Sequence, residues 1–361
     1  MANETKNNIK FKSVNFKILY CCVIALSILL LLIIIAASIG AARIPLIQTF
    51  KLTANGIPFL RNFVDISDIN PNYKTIIQNV RLPRVFLAVI VGMALASSGT
   101  MYQGLFMNPM ADPYIIGISS GASFTASLAI LMGLGSGIKN ISGIVIAAFV
   151  GALATSFLVF NIARDKKGYI NILTLILTGI ATGALLNAGT SFIMIMASKD
   201  QLQAVVFWMM GSLTSALWTK VQIVGPVIII GIIILFFYTK DLNLITLGEK
   251  RARQLGINVE VMKNIILVIT SFVVAAAVSV TGIIGFIGLV VPHMMRLLIG
   301  PDNRVLLPLS ALSGGIVLLL ADTLARNIMD PREIPVGIIT ALVGAPFFIY
   351  LLIKNKNRNQ I

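Results

Sequence analysis

The chain offers little from which acid–base, metal or thiol chemistry could be built: one histidine, two cysteines and thirteen acidic residues among 361. Cys21 and Cys22 are adjacent inside an apolar run, a spacing that suits neither a disulfide framework nor a metal site. They read as two small residues facing lipid, with palmitoylation as the reactive alternative. His293 follows Pro292 in a second apolar run and reads as structural. Asp112, Asp302 and Asp322 fall near the ends of apolar segments, whereas an ion-coupled carrier keeps carboxylates in mid-segment. No G-x-x-x-x-G-K-[ST] loop occurs, so ATP is not bound by that route.

Four local features remain. Arg81-Leu82-Pro83-Arg84 opens an apolar segment: Pro suits a first helical turn, but two arginines there oppose the positive end of the helix dipole. Either an acidic partner docks against them from outside, or they snorkel at the interface. Asn108 to Pro113 (NPMADP) holds two prolines in a tight turn, either a plain loop or a constriction at the mouth of a pathway. Leu244 to Val259 (LITLGEKRARQLGINV) is the longest charged stretch between apolar runs. Leu247, Ala252, Leu255 and Ile257 offer an apolar stripe there, with Gly256 as a stop. A helix this short is unstable alone, and it suits either docking into a partner's groove or a solvated loop. Asp322 and Arg326, at i and i+4, can pair.

The elements that must position these residues follow from composition. Hydrophobic residues make up 57% of the chain and charged residues 11%, with mean hydropathy +0.95. Soluble domains carry about 25% charged residues, so lipid is the solvent for most of this chain. Uncharged runs place about ten transmembrane helices, at 18–42, 85–107, 114–134, 141–163, 170–196, 219–239, 264–283, 284–300, 305–325 and 334–353. The first is 25 residues long, too long for a signal-peptide core of about 7–15, so it is read as a retained span. The uncharged run Asn264–Met295 has to break, and Gly282, Gly285 and Gly288 mark the place. The apolar segment 201–217, edged by Trp208 and Trp218, is too short to span and reads as a partial or interfacial helix.

Net charge is +15, from 28 basic and 13 acidic residues. The basic residues sit between apolar runs rather than on one soluble face, which points to membrane topology and not to nucleic acid. With the N-terminus in the cytoplasm, 17 of the 28 basic residues fall inside, Lys167 among them. The reading is therefore an all-α polytopic bundle over 18–353 in a single domain, with cytoplasmic tails 1–17 and 354–361. Small residues recur at four-residue spacing (Gly92, Ala96 and Thr100; Gly117 and Gly121; Gly179 and Gly183), as in close helix packing within lipid. Residues 112–121 (DPYIIGISSG) faintly echo 304–314 (RVLLPLSALSG), the trace of an internal pseudo-repeat.

Taken in order, RLPR (81–84), QGLFMNPMADPYIIGISSGA (103–122), WMMGSL (208–213), LGEKRARQLGI (247–257), GFIGLVVPHMMRLLIGPDNR (285–304), LLLADTLAR (318–326) and PVGIITALVGAPFFIYLL (335–352) resemble the permease subunits of ABC importers for ferric siderophores, haem and vitamin B12. The resemblance runs from about Arg81 to Ile353. It implies a type II importer permease fold and a homodimer, or close heterodimer, of ten-helix subunits with the pathway between them. It implies two cytoplasmic ATPase subunits, which bind ATP and Mg, and an extracytoplasmic binding protein. Arg81, Arg84 and Arg326 would contact acidic residues of that protein. Leu247, Gly248, Glu249, Arg251, Ala252, Leu255 and Gly256 would form the loop coupled to the ATPase. Asn108 and Met110 would lie near the inner gate. The fifth span and 201–217 would line the pathway and the outer gate. Where the family often reads D-H-R, this chain has Asp302-Asn303-Arg304.

The resemblance thus implies a non-enzymatic permease, without a cofactor of its own, that imports a bulky metal chelate or vitamin B12 across the cell membrane. A stand-alone secondary transporter and a membrane-embedded enzyme are the rival classes. The first lacks evident coupling acids and the second lacks catalytic residues.

Overall fold

The computed structural model describes residues 2–40, 42–56, 61–135, 142–166, 168–329 and 332–358, with side chains between Tyr20 and Lys354. The side chains of the expected N-terminal tail, the end of the C-terminal tail at 359–361, Ile141 and Lys167 lie outside the described residues. What is described is helical, apart from one antiparallel bridge between Arg164 and Ile170.

The helices in chain order are α1 (Ala2–Ser38), α2 (Leu46–Asn55), α3 (Pro71–Thr75), α4 (Leu82–Leu105), α5 (Ile118–Leu131), α6 (Gly143–Ala163), α7 (Ile172–Met196), α8 (Lys199–Met209), α9 (Trp218–Phe237), α10 (Thr239–Ile245), α11 (Glu249–Gln254), α12 (Val259–Thr281), α13 (Ile287–Ile299), α14 (Asn303–Asn327) and α15 (Val336–Arg358). Each of the ten expected spans falls on one of them. Eight helices among the described residues are long and apolar enough to cross a bilayer. The other two, α5 and α13, have 14 and 13 residues. At about 1.5 Å per residue they fall short of a hydrocarbon core about 30 Å thick.

Both are shortened at the N-terminal side for a local reason. The turn begun at Asp112-Pro113 continues to Gly117, whose φ of +80° delays α5 to Ile118. The long uncharged run breaks at Gly282 (φ +71°), and α13 opens only after Phe286, itself left-handed at φ +68°. Gly288, expected at the break, instead lies inside α13. The segment 201–217 becomes α8, opened by a Ser198–Gln201 capping box, and an irregular stretch leading into α9. The echoing segments adopt different local structures: 112–121 is a turn that enters α5, and 304–314 is wholly within α14.

The second span differs most from expectation. Helical backbone does not begin at Arg81. It begins at Pro71, capped by the Asn70 side chain, and runs as one 35-residue rod to Leu105. Pro83 has no N–H to donate and crowds the preceding turn. Before it the chain widens into a π-helical stretch, Ile76–Arg81, in which the Leu82 N–H reaches back five residues to Ile77. Arg81 and Arg84 therefore lie inside a rod and not at its positive end.

α4 is the centre of the bundle. All its residues except Phe86, Ile90 and Met93 are buried, and α14 covers more of it than any other helix. Gly92 faces Gly314 so closely that a Cβ on either would meet the other's carbonyl oxygen, a Cβ on Gly99 would meet the Gly288 carbonyl oxygen, and one on Gly288 would meet Pro113 and the Leu95 carbonyl. The other small-residue stripes are used likewise. Gly121 abuts Gly151 and Thr155 of α6, and Gly179 abuts the backbone of Ile115 and Ile116. α9, α12 and α13 complete the shell around α4, and α5, α6 and α7 form a neighbouring group joined to it through α12.

Candidate functional site

At the end of the bundle where α1 and α14 finish, the structure brings Arg81, Arg84 and Arg326 together. Arg84 is 8% exposed and forks between two carboxylates. One of its terminal nitrogens is 2.9 Å from Asp322 and the other 2.8 Å from Glu333, with Nε donating to both Asp322 oxygens at 3.0 and 3.1 Å. Arg326 meets the same Asp322 at 3.2 Å, as the i,i+4 spacing predicted. Arg81, 6% exposed, pairs with no carboxylate among the described residues. Its guanidinium donates to the carbonyls of Ala37, Ser38 and Ala42 at 2.8, 2.9 and 2.5 Å, and Arg326 adds donations to Ala36 and Ile39. Two arginines thus cap the C-terminal end of α1, where unpaired carbonyls and the negative dipole favour cations.

The charge conflict expected of RLPR is met in part within the chain: Arg84 and Arg326 pair with carboxylates, and Arg81 is held by carbonyls alone. Sequence reasoning missed Glu333 as a partner, because no local spacing links it to Arg84, 249 residues away. Beside the cluster, Arg43, Arg332 and Glu333 itself are exposed, the first two adjoining Ala42 and Glu333.

At the opposite end, α10 and α11 form the expected charged loop. Gly248 at φ +116° and Gly256 at φ +88° bracket α11, conformations that other residues adopt only with strain. The expected apolar stripe is divided. Ala252 is fully buried and Ile257 packs on the core, whereas Leu247 and Leu255 project, 60% and 64% exposed. A charge cluster fixes this geometry: Glu249 is 2.7 Å from the buried Lys263 of α12, and Arg253 is 2.9 Å from Glu260. Lys250 and Arg251 remain exposed beside the two leucines.

The turn after α4 carries Asn108 and Met110, both exposed. Asn108 Oδ1 accepts the Met110 N–H at 2.9 Å, and Met107 is left-handed at φ +49°. Asp112 then accepts the Tyr114 N–H, and the Tyr114 hydroxyl donates to the Ile284 carbonyl at 3.1 Å. The turn is thereby tied to the break ahead of α13. Nearby, Asn303 is buried and both its N–H groups donate to Asn243 Oδ1, at 2.9 and 2.8 Å. Asn243 in turn donates to Asp302. The departure from D-H-R thus sits in a complementary amide pair. Donation from the Arg304 side chain holds the Asp302 carboxyl below its usual range. His293 is buried within α13, and no group of three or more metal-ligating side chains occurs among the described residues.

α7 has the barest face of any long helix here. Only Leu175, Gly179, Gly183, Thr190 and Ile193 are buried. Its open side mixes Leu177, Leu185 and Phe192 with Ala181, Asn187 and Ser191, more polar than a surface meant for lipid alone.

The chain belongs to the FecCD transport family, whose model matches residues 28–354. It is 47% identical over 279 residues to the cobalamin import system permease protein BtuC of Halobacterium salinarum, covering 77% of this chain and 73% of that one. It is 43% identical over 283 residues to the hemin transport system permease protein HmuU of Yersinia pestis, covering 78% and 84%. It is 40% identical over 292 residues to the Fe(3+)-citrate import system permease protein YfmE of Bacillus subtilis, covering 81% and 86%. A solved inward-facing conformation of a metal-chelate type ABC transporter superposes with a TM-score of 0.75 at 33% identity, covering 92% of this chain and 99% of that one. The protein is a multi-pass membrane permease of the ABC transporter class.

Proposed function

We propose that two copies of this chain form the pathway of an ATP-driven importer for a bulky metal chelate such as a ferric siderophore or haem. The observation that carries the reading is α11, a short helix that turns Leu247 and Leu255 outward on a chain with no phosphate-binding loop of its own. It fits a groove in a separate ATPase. Two such ATPases bind and hydrolyse ATP with Mg, and this chain supplies no cofactor and no catalysis. Both termini and α11 lie in the cytoplasm of a cell whose membrane the chain crosses, as the basic-residue bias favours. The whole chain serves as one permease domain.

An extracytoplasmic binding protein docks over Arg81, Arg84 and Arg326. All three guanidinium groups are engaged inward in the free chain, so an incoming carboxylate competes with Glu333, the most exposed of their partners, for Arg84. Arg43 and Arg332 offer the outward charge. α7 and α8 line the pathway and its outer gate, and Asn108 and Met110 lie at the inner one. A cobalamin cargo is the second reading, favoured by the 47% identity to a relative named for it.

Co-purification with an ATPase, and uptake that stops when ATP is depleted, test the proposal. Uptake by the chain alone, driven by an ion gradient, would replace it with a secondary transporter.

A further inference from the structure

Beside α8, at the same end as the arginine cluster but apart from it, lies a half-open cavity of about 430 Å³ whose wall mixes apolar side chains with one cation and several hydroxyls. Lys220 of α9 lines it, with Ser142 at the start of α6 and Ser212, Thr214 and Ser215 in the loop before α9. The lysine is half-buried, yet it forms none of the ion pairs among the described residues. Its one hydrogen-bond partner among the described residues is Ser215 Oγ, at 2.6 Å. An ammonium has three donor protons, so two remain for the cavity. Ser212 and Thr214 hydrogen-bond to each other, which leaves one of their two hydroxyl protons to donate. Leu217 supplies no side-chain cap to α9, so the positive end of that helix adds to the same field.

A half-buried cation among hydroxyl donors is complete only with an anion. Several donors converging on one space suit a phosphate, which offers several oxygens at once. The surroundings indicate which phosphate. α6 and α9 both pack against α12. Their outward side chains, Ile146 and Val150 on one and Ile223, Val227 and Ile230 on the other, are exposed and apolar. The cavity lies where α6 and α9 begin, and Trp208 in its wall is a residue type that settles at headgroup level. We propose that the cavity binds the phosphate of an anionic phospholipid whose acyl chains lie along α6 and α9.

The test is lipid retention by the full-length protein in detergent, read by native mass spectrometry with phosphatidylglycerol, phosphatidylcholine or inorganic phosphate added. Phosphatidylglycerol is expected to be retained in preference to phosphatidylcholine, with about tenfold weaker retention in Lys220→Gln. Lys199→Gln, an exposed lysine outside the cavity, should retain lipid as the wild type does. The loop variant Ser212→Ala/Thr214→Val gives a second reading of the same site if Lys220→Gln does not fold. Equal retention of the two lipids, or wild-type retention in both cavity variants, would overturn the site. Binding of inorganic phosphate that excludes phosphatidylglycerol would overturn the lipid assignment.

Discussion

Arg84 and Asp322 form a buried ion pair between α4 and α14, the two helices that share the tightest seam of the fold. The Asp322 side chain is fully buried, so its charge has no solvent to fall back on. Removing either partner leaves the other with one remaining counter-ion, Arg326 for Asp322 and Glu333 for Arg84, and breaking a buried pair in this way costs up to about 3–5 kcal/mol. Arg84→Gln and Asp322→Asn should each lower the thermal midpoint in detergent strongly. The double variant should lose less than the two losses added, because the Arg84–Asp322 attraction is counted in both single losses, and a double-mutant cycle measures this coupling.

Arg81 acts on α1 and not on an acid. Arg81→Ala should unfasten the last turn of α1 and raise hydrogen exchange at residues 36–42, while Arg81→Lys restores only part of the protection, since one ammonium cannot reach three carbonyls as a planar fork does.

The arginine cluster also carries the docking proposal. Charge reversal at Arg43 and Arg332 should weaken binding of the cognate extracytoplasmic protein without lowering thermal stability. Glu333→Gln should strengthen binding by removing the competitor for Arg84. Unchanged affinity in both sets, measured by surface plasmon resonance, would remove this face from the docking proposal.

Leu247 and Leu255 touch little within the chain. Leu247→Ser and Leu255→Ser should leave thermal stability within about 0.5 kcal/mol, as exposed substitutions do, yet separate ATP hydrolysis from uptake in reconstituted vesicles. Lys263→Met, which leaves Glu249 without its buried partner, should instead lower stability.

Asp302 gives a pH signature. Its carboxyl is held below its unfolded value of about 3.9 by donation from Arg304. The stability gained from its ionisation is present above that pH and is lost as pH falls through the depressed value. Asp302→Asn should therefore lose less stability on acidification than the wild type, as read from thermal midpoints at a series of pH values.

Much of the architecture was legible because a bilayer imposes a length and a composition on each span. The ten uncharged runs each hold one helix, and the stripes at Gly92, Gly121 and Gly179 are close contacts. Helix length was harder to read, because the left-handed residues Gly117 and Phe286 set the starts of α5 and α13, and a run of apolar residues does not announce them. The arginines were legible as a set, but their partners within the chain were not. Their burial depends on the rod beginning at Pro71, and on carbonyls of α1 some forty residues earlier, neither of which has a signature near 81–84. Glu333 had no signal at all, lying outside every span and far from its partner in sequence.

The glycine seam between α4 and α14 has one further consequence. Backbones in direct contact have no side-chain rotamers with which to absorb sliding or rolling. The pair must therefore move as a single stiff strut, with Arg84 and Asp322 as the bolt at one end. Any alternation of access has to be borne by helices that retain side-chain slack, such as the bare face of α7. A covalent tether across the strut should then leave the working cycle intact, whereas one that immobilises α7 should stall it.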